Sequence, residues 1–143
     1  MGPLKPIRTV IDTNVLISAL LLGGTPGRLV PLWKTGRMLV FASHDIMEDY
    51  LRVLAYPKFR LTESEIEYLL FHEIMPFIKT SASAYSDIHI PEDPSDKKLI
   101  RCACASHAEY ILSGDNHLLS IKSAGSIPII TPSRFLNIIS RKS

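Results

Sequence analysis

Four carboxylates, Asp12, Glu48, Asp96 and Asp115, stand out for where they fall in the chain. Asp12 directly follows the β-branched, mostly apolar run Ile7-Arg8-Thr9-Val10-Ile11, and Asp115 closes Ser113-Gly114-Asp115 at the end of Tyr110-Ile111-Leu112. Glu48 sits in the early turns of a helical pattern after the run Met38 to Ala42, and Asp96 opens another. Carboxylates gathered without basic partners repel one another, so such a group is costly unless cations neutralise it. Hard oxygen ligands favour magnesium or manganese. The chain has neither a Cys/His metal spacing nor a Ser-His-Asp pattern, so the fitting chemistry is metal-assisted hydrolysis of a phosphodiester. In that chemistry one ion acidifies the attacking water and a second, about 4 Å away, stabilises the leaving oxygen.

These positions matter only if the fold brings them together. The alternation of short apolar runs with helical patterns predicts strands at Ile7–Ile11, Met38–Ala42, Tyr110–Leu112 and Pro128–Ile130, with a poorly defined strand and a loop between Phe77 and Asp93. Helices are expected from Val15 to Leu22, Arg28 to Lys34, Ser43 (as cap) to Ala55, Thr62 toward Pro76, Asp96 to about His107, Asn116 to Ile121 and Ser133 to Ile139. Thr62-Glu63-Ser64-Glu65 reads as a capping box, and Thr131-Pro132 as a cap followed by a first-turn proline. Strands that are continuous apolar runs, separated by helices, imply a parallel sheet covered on both faces: an α/β fold, three-layered α/β/α, as one domain over residues 1–143. In such a sheet the strand ends and the starts of the following helices share the carboxyl edge, where ligands bind. All four acids fall on that edge.

Within the helix after Ser43, Met47, Tyr50, Leu51 and Leu54 mark a buried stripe at spacings of three and four. Asp45 and Asp49 are then expected to point outward. Glu48 falls on the flank of the stripe, near enough to the sheet edge to be the ligand on this helix.

Composition sets wide bounds. The 143 residues are 46% hydrophobic and 21% charged, which suits one compact domain and excludes disorder. A net charge of +2 permits a phosphate-bearing partner without marking a dedicated nucleic-acid binder. Cys102 and Cys104 lie two apart in a helical pattern, point away from each other and read as unpaired thiols of a reducing compartment. The longest apolar run, Val15 to Leu22, is far too short to span a bilayer, and a cytoplasmic protein is expected.

Asp12-Thr13-Asn14-Val15-Leu16 followed by Ser18-Ala19 resembles the opening motif of PIN-domain nucleases. Pro26-Gly27-Arg28, the Glu48 helix with Tyr50-Leu51-Arg52-Val53-Leu54, Asp93-Pro94-Ser95-Asp96, Ala108 to Asp115 and Ile129-Ile130-Thr131-Pro132 are similar to the bacterial and archaeal toxin-like branch. The resemblance implies a parallel-sheet α/β/α fold, a magnesium or manganese site, cleavage of single-stranded RNA, a homodimer or higher homo-oligomer, and a cognate antitoxin protein. Asp12, Glu48, Asp96 and Asp115 match the family's acidic positions as catalytic residues and metal ligands. Asn14 matches the polar residue that supports the first acid, and Ser113 the small hydroxyl beside the last.

Two positions depart from the pattern. His117 and Ser95 stand where relatives commonly carry further acids, and His117 is open to two readings, a ligand of metal or phosphate and, the one preferred, an exposed histidine in a short helix. Each acid also has a structural role open to it: helix capping for Asp12 and Asp96, a turn for Asp115, solvated surface for Glu48. Arg28, Lys34, Arg52, Lys97 and Lys98 either border the cleft or belong to solvated faces. The alternative function is a non-catalytic RNA-binding or protein-interaction module with a weakened metal site. A haloacid-type phosphatase requires an aspartate where Asn14 stands.

Overall fold

A computed structural model describes residues 5–81 and 94–142. The first four strands are β1 (Ile7–Ile11), β2 (Met38–Ala42), β3 (Ile78–Thr80) and β4 (Tyr110–Leu112); β1, β2 and β4 coincide with the apolar runs, and β3 falls in the poorly defined stretch that begins at Phe77. Next come β5 (Ser123–Ala124), too short to carry a sequence signal, and β6 (Ile127–Ile130). They form a sheet in the order β3-β2-β1-β4-β6-β5, parallel except for the β5–β6 pair. β1 and β2 alternate nothing because both faces are covered: Val10, Ile11, Val40 and Ala42 are wholly buried. The result is the expected three-layer α/β/α arrangement.

The strand order runs one way from β1 through β2 to β3 and the other way from β4 to β6. The direction therefore reverses between β1 and β4, which are paired in register from Thr9↔Tyr110 to Ile11↔Leu112. At such a switch point the connections leave to opposite sides and open a crevice beyond the carboxyl ends of the two strands.

Helices line this crevice. α1 (Thr13–Leu21) begins at once after Asp12 and buries Val15, Leu16, Ile17 and Ala19. Gly23 and Gly24, both at positive φ, then turn the chain into the short α2 (Gly24–Gly27). α3 (Val30–Lys34) leads to β2, and α4 (His44–Leu54) is capped by Ser43, whose Oγ accepts from the Ile46 amide. The capping box at Thr62 and Glu65 opens α5 (Glu63–Tyr68) as expected. Beyond it the chain widens into π-type turns over Leu69–Ile74 rather than continuing as regular helix.

α6 (Pro94–Ala105), α7 (Asn116–Ile121) and α8 (Pro132–Lys142) complete the fold. The loop expected before Asp93 falls on residues 82–93, outside the described residues. Cys102 and Cys104 do not form a disulfide with each other. No single helix among the described residues is long and apolar enough to cross a membrane.

Candidate metal centre

Asp12 leaves the end of β1 held by its own backbone, its amide donating to the Leu112 carbonyl at 2.9 Å. The strand end beneath it is pinned by Tyr50. This phenol is fully buried on α4 and donates to the Ile11 carbonyl at 2.7 Å. Burial raises its pKa well above the ordinary value, so it remains a donor.

From the neighbouring strand, Ser113 follows β4 and is wholly buried. Its Oγ donates to Asp12 Oδ2 at 2.9 Å and accepts from the Asp115 amide at 3.0 Å. One hydroxyl thus links the two acids across the switch point. That is the supporting position expected of Ser113. Asp115 then caps α7, accepting from the His117 amide through Oδ1.

Asp96 comes from the first turn of α6 and is only 2% exposed. Its Oδ2 lies 3.1 Å from His117 Nδ1. Donor atoms of Asp96, Asp115 and His117 all lie within 4.8 Å of one another. Asp12, Asp96 and Asp115 line a common cleft of about 610 Å³, together with Asn14. Asn14 is exposed there, and among the described residues no hydrogen bond ties it to Asp12.

The electrostatics agree with this grouping. Burial pushes the Asp12 carboxyl above its usual range, hydrogen bonds from the Ser113 hydroxyl and the Thr13 backbone pull it partly back, and the charges of Asp115 and Asp96 raise it further. A half-buried carboxylate with two carboxylate neighbours is the arrangement a divalent cation relieves, and the oxygen-rich donors suit one. The residues fit the ion that the sequence implied.

Glu48 requires a correction. Its side chain is 62% exposed and pairs with His44 at 2.9 Å, outside the cleft. Asp49, expected to point outward, instead lines the cleft and is buried. The reason is the phase of α4. Its seam runs through Ile46, Asp49, Tyr50 and Leu54, with Met47 and Leu51 only partly covered. Measured from Ile46 at about 100° per residue, Glu48 lies roughly 200° away, on the opposite face. Asp45 is exposed, as expected.

Asp49 does not enter the cleft as an uncompensated charge. Arg52, one turn along the helix, donates to its Oδ1, and Lys98 Nζ from α6 lies 3.2 and 3.3 Å from its two oxygens. Arg52 and Lys98 both line the cleft. Of the other cations considered, Lys34 pairs with Glu73, and Arg28 borders a different groove with Tyr68 and Leu69. His117 is exposed, as expected, with 63% of its side chain in solvent, and its Nδ1 is turned onto Asp96.

The profile of the PIN domain family matches residues 8–117, well over half of the chain and inclusive of every residue of this cleft except Leu118 and Pro132. The chain belongs to the PIN domain family. An uncharacterized protein of Methanocaldococcus jannaschii is similar to this PIN domain, with 29% identity over 118 residues that cover 81% of this chain and 76% of the relative. Membership implies a metal-dependent, nuclease-like fold and a divalent cation. In this PIN domain the carboxylates of Asp12, Asp96 and Asp115 meet in the cleft at the β1/β4 switch point.

Proposed function

We propose that this PIN domain hydrolyses phosphodiester bonds in single-stranded RNA, using magnesium or manganese at Asp12, Asp96 and Asp115. The observation that carries this reading is the convergence of those three carboxylates in one cleft, with Ser113 bridging two of them. A divalent ion bound there supplies an acidified water and positive charge for the phosphate oxygens. The protein's own residues do the rest. Ser113 holds Asp12 and Asp115 in register, Asp96 supplies a buried carboxylate from α6, and Arg52 with Lys98 forms a cationic wall for the phosphate backbone. Glu48 stays outside this arrangement.

A toxin role, a homodimer and a protein antitoxin extend the same proposal, as does a cytoplasmic location, where RNA is met. The observation favouring a protein partner is the exposure of Tyr68, Phe71 and Met75 along one segment.

The test is cleavage of labelled single-stranded RNA, duplex RNA and single-stranded DNA by the purified chain in manganese, magnesium or chelator. Single-stranded RNA should be cut fastest, only with a divalent ion, and equally well by Glu48→Gln. Equal cleavage of DNA would contradict the substrate assignment. Cation binding without any cleavage would favour the non-catalytic module.

A further inference from the structure

We propose that His117 is itself a ligand of the cation through Nδ1, making the centre a mixed oxygen and nitrogen site that prefers cobalt(II) to magnesium. This rests on the cation reading of the cleft and adds a donor to it. Nδ1 lies 3.1 Å from Asp96 Oδ2, and these atoms share a 4.8 Å neighbourhood with an Asp115 oxygen. Adjacent ligands of an octahedral ion at about 2.1 Å are about 3.0 Å apart, so the His117–Asp96 pair already has the spacing of two neighbouring ligands.

The position of the ring is built in rather than incidental. The His117 amide donates to Asp115 Oδ1 at 3.2 Å, and its carbonyl accepts from Ser120 Oγ at 2.6 Å. The first turn of α7 is therefore fastened to the same acid that shares the ion. Ligation at Nδ1 places the ring proton on Nε2. Magnesium favours an all-oxygen shell, whereas imidazole suits later first-row ions, so one nitrogen in the set shifts preference toward cobalt.

The competing arrangement is a plain hydrogen bond, with His117 donating to Asp96 and an incoming ion having to break that contact. The two differ in sign when the ring is removed. Dissociation constants for magnesium and cobalt, measured by calorimetry on the full chain and on His117→Ala and His117→Asp, separate them. Ligation predicts that His117→Ala loses at least about tenfold in cobalt affinity, the lower end of what disturbing a metal's ligand shell costs. Magnesium affinity should change much less, and His117→Asp should gain magnesium affinity while losing cobalt preference.

A readout on the unaltered protein guards against a variant that fails to fold. Electron paramagnetic resonance of the manganese-loaded chain should show nitrogen coupling that persists in His44→Gln, which removes the exposed histidine beside Glu48. Unchanged or tighter cobalt binding in His117→Ala, or no nitrogen coupling in the wild type, would overturn the proposal while leaving the carboxylate site standing. Failure of every ion to bind the wild type would overturn both.

Discussion

Asp12→Asn should lower cation-dependent cleavage at least about a hundredfold, the upper end of what losing a partner of a metal ligand costs, and should raise the melting temperature of the cation-free protein at neutral pH. The two effects have one cause. Burial foremost, then the charges of Asp115 and Asp96, hold the Asp12 carboxyl above its ordinary value of 3.8 against the opposing hydrogen bonds. A carboxyl whose folded pKa is raised contributes stability that is fully present below its unfolded value and is lost as pH rises through the folded value. At neutral pH without a cation, ionised Asp12 therefore opposes folding. Asparagine removes the charge and keeps an oxygen that accepts from Ser113, so that hydrogen bond survives the substitution. Melting curves across pH should show Asp12→Asn above the wild type at pH 7, with the gap closing as pH falls toward the ordinary carboxylate range. A variant that melts lower at pH 7, with no trend, would contradict the electrostatic account.

Cation binding should produce the complementary effect on the wild type. An ion that binds only the folded state stabilises it by about 2.7 kcal/mol at a hundred times its dissociation constant. For a domain of this size that corresponds to a rise in Tm of about 5–10 °C. Calorimetric scans in manganese should show that rise in the wild type and in Glu48→Gln, whose exposed carboxylate lies outside the cleft, and should lose most of it in Asp96→Asn. An equal rise in the Asp96 variant would place the ion elsewhere.

Most of the fold was legible because its signals are local. β2 is an uninterrupted apolar run and β1 a mostly apolar, β-branched one, Ser43 and Thr62 are caps whose hydrogen bonds form as written, and strand–helix alternation implies the carboxyl edge. Three of the four acids followed from that topology alone. The fourth did not, because a helix's phase is set by what it packs against. Met47, Leu51 and Leu54 make as regular a stripe as Ile46, Tyr50 and Leu54, and moving the seam by one residue swings Glu48 out and Asp49 in. Asp49 is compensated in the cleft by Arg52 on its own helix and by Lys98 reaching it from α6, and the second contact is invisible to any local pattern. The two readings of His117 could not be separated for a similar reason: its exposure is local to a short helix, whereas its contact with Asp96 comes from α6. β5 has two residues and no pattern to read.

The most direct test of the central claim is anomalous diffraction from crystals soaked in manganese. A strong peak is expected between the carboxylates of Asp96 and Asp115, at about 2–2.3 Å from their oxygens and facing Asp12. No peak in that cleft, or a peak only at the exposed His44–Glu48 pair on α4, would contradict it.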